Sequence, residues 1–352
     1  MRVLVAMSGG VDSSVAAALL VEAGHDVVGA TLKLWGGPSD SGCCSVADVD
    51  DARRVAQQLG IAHHVFNMTD EFGAAVVEPY VAAHAAGRTP NPCIECNRHV
   101  KFDRLLDRSV RLGFDVLATG HHAQVRETTE CFELRRGADA KKDQSYVLSM
   151  LGQDQLARVV LPVGQLTKAA VRDHAARLGL RTADKPDSQD VCFIHGADGR
   201  LGFLERRVAL HAADVVDGAS GAVVGSVDAV ELVTVGQRRG MGHGTDGQRR
   251  YVVAVDVPGR RVVVGGTDDA VADAVRLVPD SLTWVADPLA AGARAVAQTS
   301  AHGRPAGCAF ELAGDGPVVR FDEGQRPVAP GQTVALYDAR DPDAVVGAGI
   351  AA

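Results

Sequence analysis

The chain has 352 residues, of which 46% are apolar and 23% are charged. That balance is typical of a soluble globular protein large enough for two or three domains. No apolar run approaches the ~20 residues that cross a bilayer, and no cleavable signal is visible, so we expect a cytoplasmic protein without membrane contact. The net charge of −8 argues against a general nucleic-acid binder. Seven cysteines are too few for a disulfide scaffold in a chain of this length, and they favour catalysis or metal binding.

The first 200 residues alternate between predicted strands and helices. Apolar runs predict strands at 2–7, 26–32, 62–67 and 115–119. Helical spacing predicts helices at 14–24, 46–59, 69–85, 97–112 and 166–180, with a kink or break at Pro79. Such alternation predicts an α/β fold, a parallel doubly wound sheet whose ligand lies beyond the carboxyl ends of the strands.

The second part of the chain has a different sequence pattern. After residue 202 the segments are short, rich in valine and broken by Gly, Asp and Pro, which is typical of small antiparallel β structure. We therefore predict three domains: the α/β domain at 1–200, a small central β-rich domain at 201–270, and a C-terminal β-barrel-like domain at 271–352.

A glycine turn follows the first predicted strand and opens the first predicted helix. Its sequence is Ser8-Gly9-Gly10-Val11-Asp12-Ser13. Glycines let the backbone N–H groups converge, the helix start adds unpaired donors, and Asp12 could hold Mg²⁺. This is neither the Walker loop nor Gly-x-Gly-x-x-Gly; it resembles the pyrophosphate loop of ATP enzymes that adenylate a substrate. The alternative is an ordinary glycine-rich turn between a strand and a helix.

Two further stretches carry cysteines in informative surroundings. In Thr89-Pro90-Asn91-Pro92-Cys93-Ile94-Glu95-Cys96-Asn97, two prolines force an extended segment before a helix that Asn97 could cap. A cysteine beside a helix start has its thiolate favoured, although a Cys-x-x-Cys pair can also bind metal, cycle as a disulfide or be inert. Cys192 ends a polar loop, where the alternative is a small core residue. Cys43 and Cys44 are adjacent in the sequence, so we expect their side chains to point in different directions.

Polar residues elsewhere leave two interpretations open. Lys142-Asp143-Gln144-Ser145-Tyr146 could orient a planar base or could begin a helix. His121 and His122 follow a buried strand and Gly120, and they are either ligands or hydrogen-bonded loop histidines.

Taken together, these stretches resemble the tRNA-specific 2-thiouridylases, which place sulfur on the wobble uridine of certain tRNAs. The resemblance runs in family order through about two thirds of the chain. The matching pieces are Ser8 to Val15, Gly87 to Pro92, Cys96-Asn97, Ala118 to His121, Lys142 to Tyr146, Asp187 to Phe193 and Val235 to Gly240.

The resemblance implies a role for each matching residue. The sheet would be of the adenine nucleotide alpha-hydrolase type, with ATP surrounded by Ala6, Met7, Ser8, Gly9, Gly10, Val11, Asp12, Ser13, Leu32 and Gly120. Cys192 would carry a persulfide, and Cys96 would be the second catalytic thiol. The flipped base would be bordered by Asn91, Pro92 and Cys93, and tRNA would be touched by His121, Lys142, Asp143, Gln144 and Gln332.

The implied partners are a tRNA with a wobble uridine and a cysteine desulfurase or sulfur-relay protein, and we expect a monomer. In the implied reaction, ATP and Mg²⁺ convert the C2 oxygen of uridine into an AMP leaving group, sulfur from Cys192 replaces it, and Cys96 closes a disulfide with Cys192. The products are 2-thiouridine, AMP and pyrophosphate.

Two departures from the family pattern bear on this scheme. Many members carry Asp at the position of Cys93, where it is thought to act as an acid or base. Cys93, Cys96 and Cys192 could instead form a three-cysteine set for an iron–sulfur cluster. Near Ser300-Ala301-His302, relatives often show an Arg-Tyr-Arg type motif, so we expect a weaker or different tRNA contact there.

Two other functions remain open from the sequence. Another adenylating ligase would share the loop but would need no paired thiols. A cluster- or zinc-binding tRNA-binding module would hold stoichiometric metal and release no AMP.

Overall fold

The first half of the protein is built on a parallel sheet. The computed structural model describes residues 1–35, 45–187, 191–194, 199–244, 247–314 and 316–352. Cys43 and Cys44, and residues 188–190 of the stretch before Cys192, lie outside the described residues. The strands described in the first 200 residues are β1 (Arg2–Ala6), β2 (Asp26–Lys33), β3 (Ala62–Asn67), β4 (Val116–Thr119), β5 (Ala123–Glu127), β6 (Phe132–Arg136) and β7 (Val159–Val160).

Five of these strands form the sheet, in the order β3-β2-β1-β4-β7. All four neighbouring pairs are parallel, with β1 in the middle and in register with both β2 and β4. The predicted α/β sheet is therefore confirmed. The carboxyl ends of β1 and β4 lie side by side, which brings the turn after Ala6 next to Gly120.

Helices cover both faces of this sheet. They are α1 (Val11–Glu22), α2 (Val46–Leu59), α3 (Thr69–Phe72), α4 (Glu78–Ala85), α5 (Pro92–Glu95), α6 (Leu106–Arg111), α7 (Ser145–Leu148), α8 (Gln153–Leu156), α9 (Lys168–Arg177) and α10 (Gly199–Leu204). Side chains alternate along β1, so Val3 and Val5 pack with α1, α2 and α9, whereas Leu4 packs with the opposite layer. No described helix is long and apolar enough to cross a bilayer.

Two π-helical stretches account for the differences from the predicted helices. Gly73–Val77 joins α3 to α4, so the predicted helix 69–85 is continuous and Pro79 falls directly after the irregular turn. Cys96–Leu105 joins α5 to α6. The predicted helix start at Asn97 is wrong: Asn91 is the N-cap and Pro92 occupies the first turn, where its missing N–H costs nothing.

The central unit is a four-stranded sheet with its own core. Its strands are β8 (Ala213–Asp217), β9 (Val223–Val227), β10 (Tyr251–Asp256) and β11 (Arg261–Gly265), in the order β10-β11-β8-β9. Val215, Val252 and Val262 are buried in its core. The prediction of antiparallel structure holds for two pairs and is wrong for β8 and β11, which run parallel.

The C-terminal strands close into a barrel. They are β12 (Ala272–Arg276), β13 (Thr283–Trp284), β14 (Ala293–Gln298), β15 (Ala306–Ala313), β16 (Gly316–Gln325), β17 (Thr333–Asp338) and β18 (Ala344–Ile350). They follow the order β12-β16-β15-β14-β17-β18, and a bridge between Leu277 and Ala351 joins the two ends.

The hairpin β5–β6 belongs to the C-terminal sheet although it lies within the first 200 residues. β6 pairs with β18 through Leu134 and Arg135. The sequence analysis missed this pairing because its partners are more than 200 residues apart. The boundaries at 200 and 270 stay a prediction, and this sheet crosses both of them.

Candidate active site

The glycine turn after β1 is fixed by two close backbone approaches. Gly9 has φ +74°, and a Cβ there would lie 2.3 Å from the carbonyl oxygen of Asp48. A Cβ on Gly120 would lie 2.5 Å from the backbone nitrogen of Ser13. Both positions therefore require glycine, and the turn is held tightly between α2 and the end of β4.

The turn leaves the start of α1 open to a ligand. Gly10 is the N-cap and supplies no side-chain hydrogen bond. Ser8 donates its N–H to the Ser13 hydroxyl at 3.2 Å, and the Ser14 hydroxyl donates to the Gly10 carbonyl at 2.8 Å. Because α1 starts without a side-chain cap, its first-turn N–H groups and dipole favour an anion, which fits the phosphates of ATP.

The other predicted nucleotide residues surround this turn. Ala6 is the half-buried last residue of β1. Met7 is buried, donates its N–H to the Ala30 carbonyl at 2.8 Å and accepts a hydrogen bond from Thr31. Leu32 is buried near the end of β2. The structure thus brings all the predicted nucleotide residues to one edge of the sheet.

Asp12 is held by two hydrogen-bond donors, Lys168 and His122, rather than presented to a metal. Lys168 donates from Nζ to both carboxylate oxygens at 2.8 and 2.7 Å, and His122 donates from Nε2 at 3.0 Å. Burial favours the neutral acid, but the hydrogen bonds from His122 and Lys168 outweigh it, so the pKa of Asp12 lies below its usual value of 3.8. Mg²⁺ at Asp12 would have to displace Lys168.

A second carboxylate, Asp187, is tied to the same lysine. Its oxygens receive Lys142 at 2.7 Å, Lys168 at 2.8 Å and Arg172 at 3.0 Å. Burial acts against ionisation here too, yet the hydrogen bonds from Lys142 and Lys168 lower the pKa of Asp187 to about 2. Lys168 therefore bridges two segments. One is the glycine turn from Ser8 to Ser13, called the phosphate turn below, and the other is the segment that leads to Cys192.

Lys185 makes a second tie between the same two segments. Its Nζ donates to the Gly9 carbonyl at 2.9 Å and to the carboxylates of Asp48 and Asp51 at 2.6 and 2.7 Å. The sequence analysis singled out neither Lys168 nor Lys185 as a site residue. Nothing local distinguishes Lys168, because its partner Asp12 is 156 positions away.

Cys96 and Cys192 pack on the same hydrophobic cluster. Cys96 is buried within that cluster, and the half-buried Cys192 packs against it. The neighbouring Phe193 is an anchor: its ring lies 5.1–6.2 Å from the rings of Trp35, Phe72, Tyr80 and Phe203. Both predicted catalytic cysteines, from remote stretches of the chain, thus belong to one extended hydrophobic cluster, which also includes residues of the barrel.

Cys93, unlike Cys96 and Cys192, lies exposed at the surface. It occupies the first turn of α5, where its N–H donates to the Asn91 side chain at 3.1 Å, and its side chain is exposed. Within the described ranges, no group of three or more His, Cys, Asp or Glu side chains is placed to hold a metal ion. The three-cysteine set considered for an iron–sulfur cluster is therefore not assembled in this structure.

The segment around Asn91 is held by residues from the other two units. Thr89 donates its N–H to the Pro330 carbonyl at 2.8 Å and its hydroxyl to Thr234 at 3.2 Å. Gln332 donates its side-chain amide to the Thr89 carbonyl. The structure thereby places Gln332 against Thr89, two residues before Asn91, the first of the residues predicted to border the base.

The predicted tRNA residues after β4 are mostly engaged inside the protein. The His121 ring is buried, shares a hydrogen bond of 2.7 Å with Thr119, and has a pKa well below 6.5 because burial disfavours its charged form. Asp143 accepts from Arg136 and Ser145. The side-chain oxygen of Gln144 accepts the N–H of His122 at 2.9 Å. Their contacts with tRNA stay a prediction.

Comparison with known proteins gives consistent matches along the chain. Three family models match it: a tRNA methyl transferase HUP domain at residues 1–196, a tRNA methyl transferase PRC-barrel domain at 202–266 and an aminomethyltransferase beta-barrel domain at 276–351. These matches confirm the predicted fold class, an α/β domain followed by a small central domain and a C-terminal barrel.

Curated relatives match over nearly the whole length. The tRNA-specific 2-thiouridylase MnmA of Mycolicibacterium paratuberculosis is 45% identical over 352 residues, covering 97% of this chain and 96% of the relative. That of Acidothermus cellulolyticus is 46% identical over 345 residues, covering 96% and 94%. A solved 4-thiouridine synthetase–RNA complex with bound ATP shares 17% identity at a TM-score of 0.37, covering 55% of this chain and 44% of that chain, a likeness too distant to carry an argument.

Proposed function

The chain belongs to the tRNA-specific 2-thiouridylase family and is a tRNA sulfurtransferase, and on that premise we propose how it transfers sulfur. The proposed reaction thiolates C2 of the wobble uridine by way of an adenylated uridine and a persulfide on Cys192. The products are 2-thiouridine, AMP and pyrophosphate.

One observation carries this proposal. Cys96 and Cys192 come from distant parts of the chain and pack on one hydrophobic cluster. The stretch leading to Cys192 is also tied to the phosphate turn by Lys185 and Asp187. An adenylating ligase that uses no sulfur would need neither arrangement.

Two separate parts of the site bind the two substrates, ATP and the target base. The phosphate turn and the start of α1 bind ATP, which supplies the activation of the C2 oxygen as an AMP leaving group. The segment 88–96 holds the extruded base, since a stacked base could not be reached. Mg²⁺ would arrive with the phosphates, because both oxygens of Asp12 are already bonded to Lys168.

The sulfur step balances with the two cysteines and an outside reductant. The terminal sulfur of the Cys192 persulfide attacks C2, and AMP leaves with its bonding electrons. The Cys96 thiolate then attacks Sγ of Cys192, which breaks the persulfide bond and leaves the sulfur on uridine. Alternatively, Cys96 first releases sulfide, which attacks C2. Either route ends in a Cys96–Cys192 disulfide that a thiol reductant reopens.

The persulfide sulfur would come from a cysteine desulfurase or a sulfur-relay protein. The exposed Cys93 could shuttle a proton where many relatives carry Asp. A monomeric state and a cytoplasmic location stay predictions. The iron–sulfur alternative receives no support from the described residues.

Reconstitution tests this function. The protein is incubated with ATP, Mg²⁺, a desulfurase, cysteine and tRNA transcripts, and nucleosides are analysed by mass. We expect Cys96→Ser and Cys192→Ser each to abolish 2-thiouridine, while Cys131→Ser, in the β5–β6 hairpin, retains it. Full thiolation by either of the first two variants would reject the assignment. Stoichiometric metal without AMP release would favour a metal-binding module.

A further inference from the structure

We propose that Lys168 is the ammonium that binds the phosphates of the nucleotide, and that Asp187 holds it in place before they arrive. This inference rests on the proposed use of ATP at the phosphate turn. It adds a binding residue, Lys168, and a positioning residue, Asp187, to that site.

The geometry places Lys168 at the mouth of the phosphate turn. Its side chain is only 11% exposed, and Nζ donates to three carboxylate oxygens, two of Asp12 and one of Asp187, at 2.7–2.8 Å. Asp12 is the second residue of α1, so the ammonium lies beside the uncapped first turn. The backbone of Lys168 is itself fixed, because its N–H donates to Asp139 at 3.0 Å and Thr167 caps α9.

Lys168 belongs to a group of cations at the start of α1. Among the described residues, ion pairs connect the side chains of Lys142, Lys168 and Arg172 with those of Asp12 and Asp187. A third carboxylate, that of Asp139, accepts the backbone N–H of Lys168. The ammonium of Lys168 thus lies next to the positive end of the α1 dipole, and this combination is complementary to a polyphosphate.

The same network allows Lys168 to change partners at low cost. Asp187 keeps Lys142 and Arg172 when Lys168 turns to a phosphate, and Asp12 keeps His122. Neither carboxylate would be left buried without a partner, which is the usual penalty for breaking a buried ion pair. A lysine that served only to fasten two segments would need no such reserve of partners.

Nucleotide titrations separate phosphate binding from a purely structural tie. The wild-type protein, Lys168→Met and Lys168→Arg are titrated with ATP and, separately, with adenosine, which probes the base pocket alone. We expect Lys168→Met to weaken ATP binding about tenfold or more with adenosine affinity unchanged, and Lys168→Arg to restore part of the loss. Arg177→Gln, a charge loss at the far end of α9, is the matched control and should change neither affinity.

Asp187→Asn keeps the inference testable if Lys168→Met fails to fold. Removing the carboxylate that positions Lys168 should weaken ATP binding severalfold with adenosine affinity unchanged, whereas a purely structural tie predicts that both affinities fall together. Equal losses of ATP and adenosine affinity in Lys168→Met or in Asp187→Asn, or no loss of ATP affinity in either variant, would overturn the inference. A wild-type protein that binds no ATP would instead refute the proposed function.

Discussion

The phosphate turn and the base-side segment, residues 88–96, are held by different kinds of contact. The turn is clamped by glycine-to-backbone approaches, by the ion pair of Lys168 with Asp12 and by the hydrogen bond from Lys185 to the Gly9 carbonyl. The base-side segment depends on neutral hydrogen bonds to residues of the other two units, such as Thr234 and Gln332. The contacts of the phosphate turn thus come from the N-terminal domain alone, whereas the segment that we propose to hold the base is bonded to residues of all three units.

The largest effect is expected from a substitution at Gly9, where the turn packs directly against the backbone of α2. Gly9→Ala would force a Cβ to within 2.3 Å of the Asp48 carbonyl at a positive φ, so the turn must rearrange. We expect ATP binding to be lost and the free energy of unfolding to fall by about 2 kcal/mol or more. Isothermal titration with ATP and chemical denaturation measure both.

Gly24→Ala is the matched control for that experiment. Gly24 has a similar φ of +78°, but nothing lies within 4 Å of the added Cβ. Its cost should be only that of the left-handed backbone, about 1 kcal/mol, with ATP binding retained. If both variants bound ATP equally well, the clamp on the turn would not matter for the nucleotide.

A smaller and more selective effect is expected on the base side. Gln332→Ala removes the amide that supports the Thr89 carbonyl, and a neutral hydrogen bond contributes about 1 kcal/mol. We expect the KM for tRNA to rise about fivefold, while ATP affinity stays unchanged. Steady-state thiolation at varied tRNA concentration measures this.

Gln325→Ala provides the comparison within the same barrel, because among the described residues that side chain bonds only to the nearby Glu323 carbonyl. Its KM should equal that of the wild type. A Gln332→Ala variant with weakened ATP binding would contradict the separation of the two sides.

The smallest effect concerns pH. His84, in the helix that leads to the base-side segment, is buried and donates from Nδ1 to the Glu231 carbonyl at 3.1 Å. Burial lowers its pKa from 6.5 to about 4. Between these two pH values the unfolded chain binds more protons than the folded one. The stability that depends on neutral His84 is therefore fully present above pH 6.5 and is lost as the pH falls towards 4. His121, with its low pKa, adds to this in the same direction.

The carboxylates that contact Lys168 behave differently, since Asp187 stays ionised down to about pH 2. We expect the protection factors for hydrogen exchange near His84 to fall at about pH 5 while ATP binding persists. His84→Gln, a neutral replacement, should reduce the pH dependence of unfolding, and the exposed His243→Gln should not. An unchanged slope in His84→Gln would contradict this assignment.

The sequence predicted what depends on local pattern. β3 and α2 occupy the predicted residues, and the phosphate turn lies where its glycines indicated. The start of the helix bearing Cys96 was misplaced, because Asn97 and Asn91 are both plausible caps and only the structure shows which side chain bonds the backbone. Lys168 and the Gln332 contact depend on pairs far apart in the chain, which no local periodicity reveals.

The pairing of β6 with β18 has a consequence for residues 142–144, which are predicted to contact tRNA. Arg136, the last residue of β6, bonds the Asp143 carboxylate, and its N–H donates to the Asp343 carbonyl beside β18. Asp143 is therefore tied to the barrel wall, whereas its neighbours Lys142 and Gln144 bond to Asp187 and His122 of the N-terminal domain. A movement of the barrel relative to the nucleotide sheet would therefore shift Asp143. Separating the chain before residue 271 would leave β6 and β18 without each other and expose a strand edge that can aggregate.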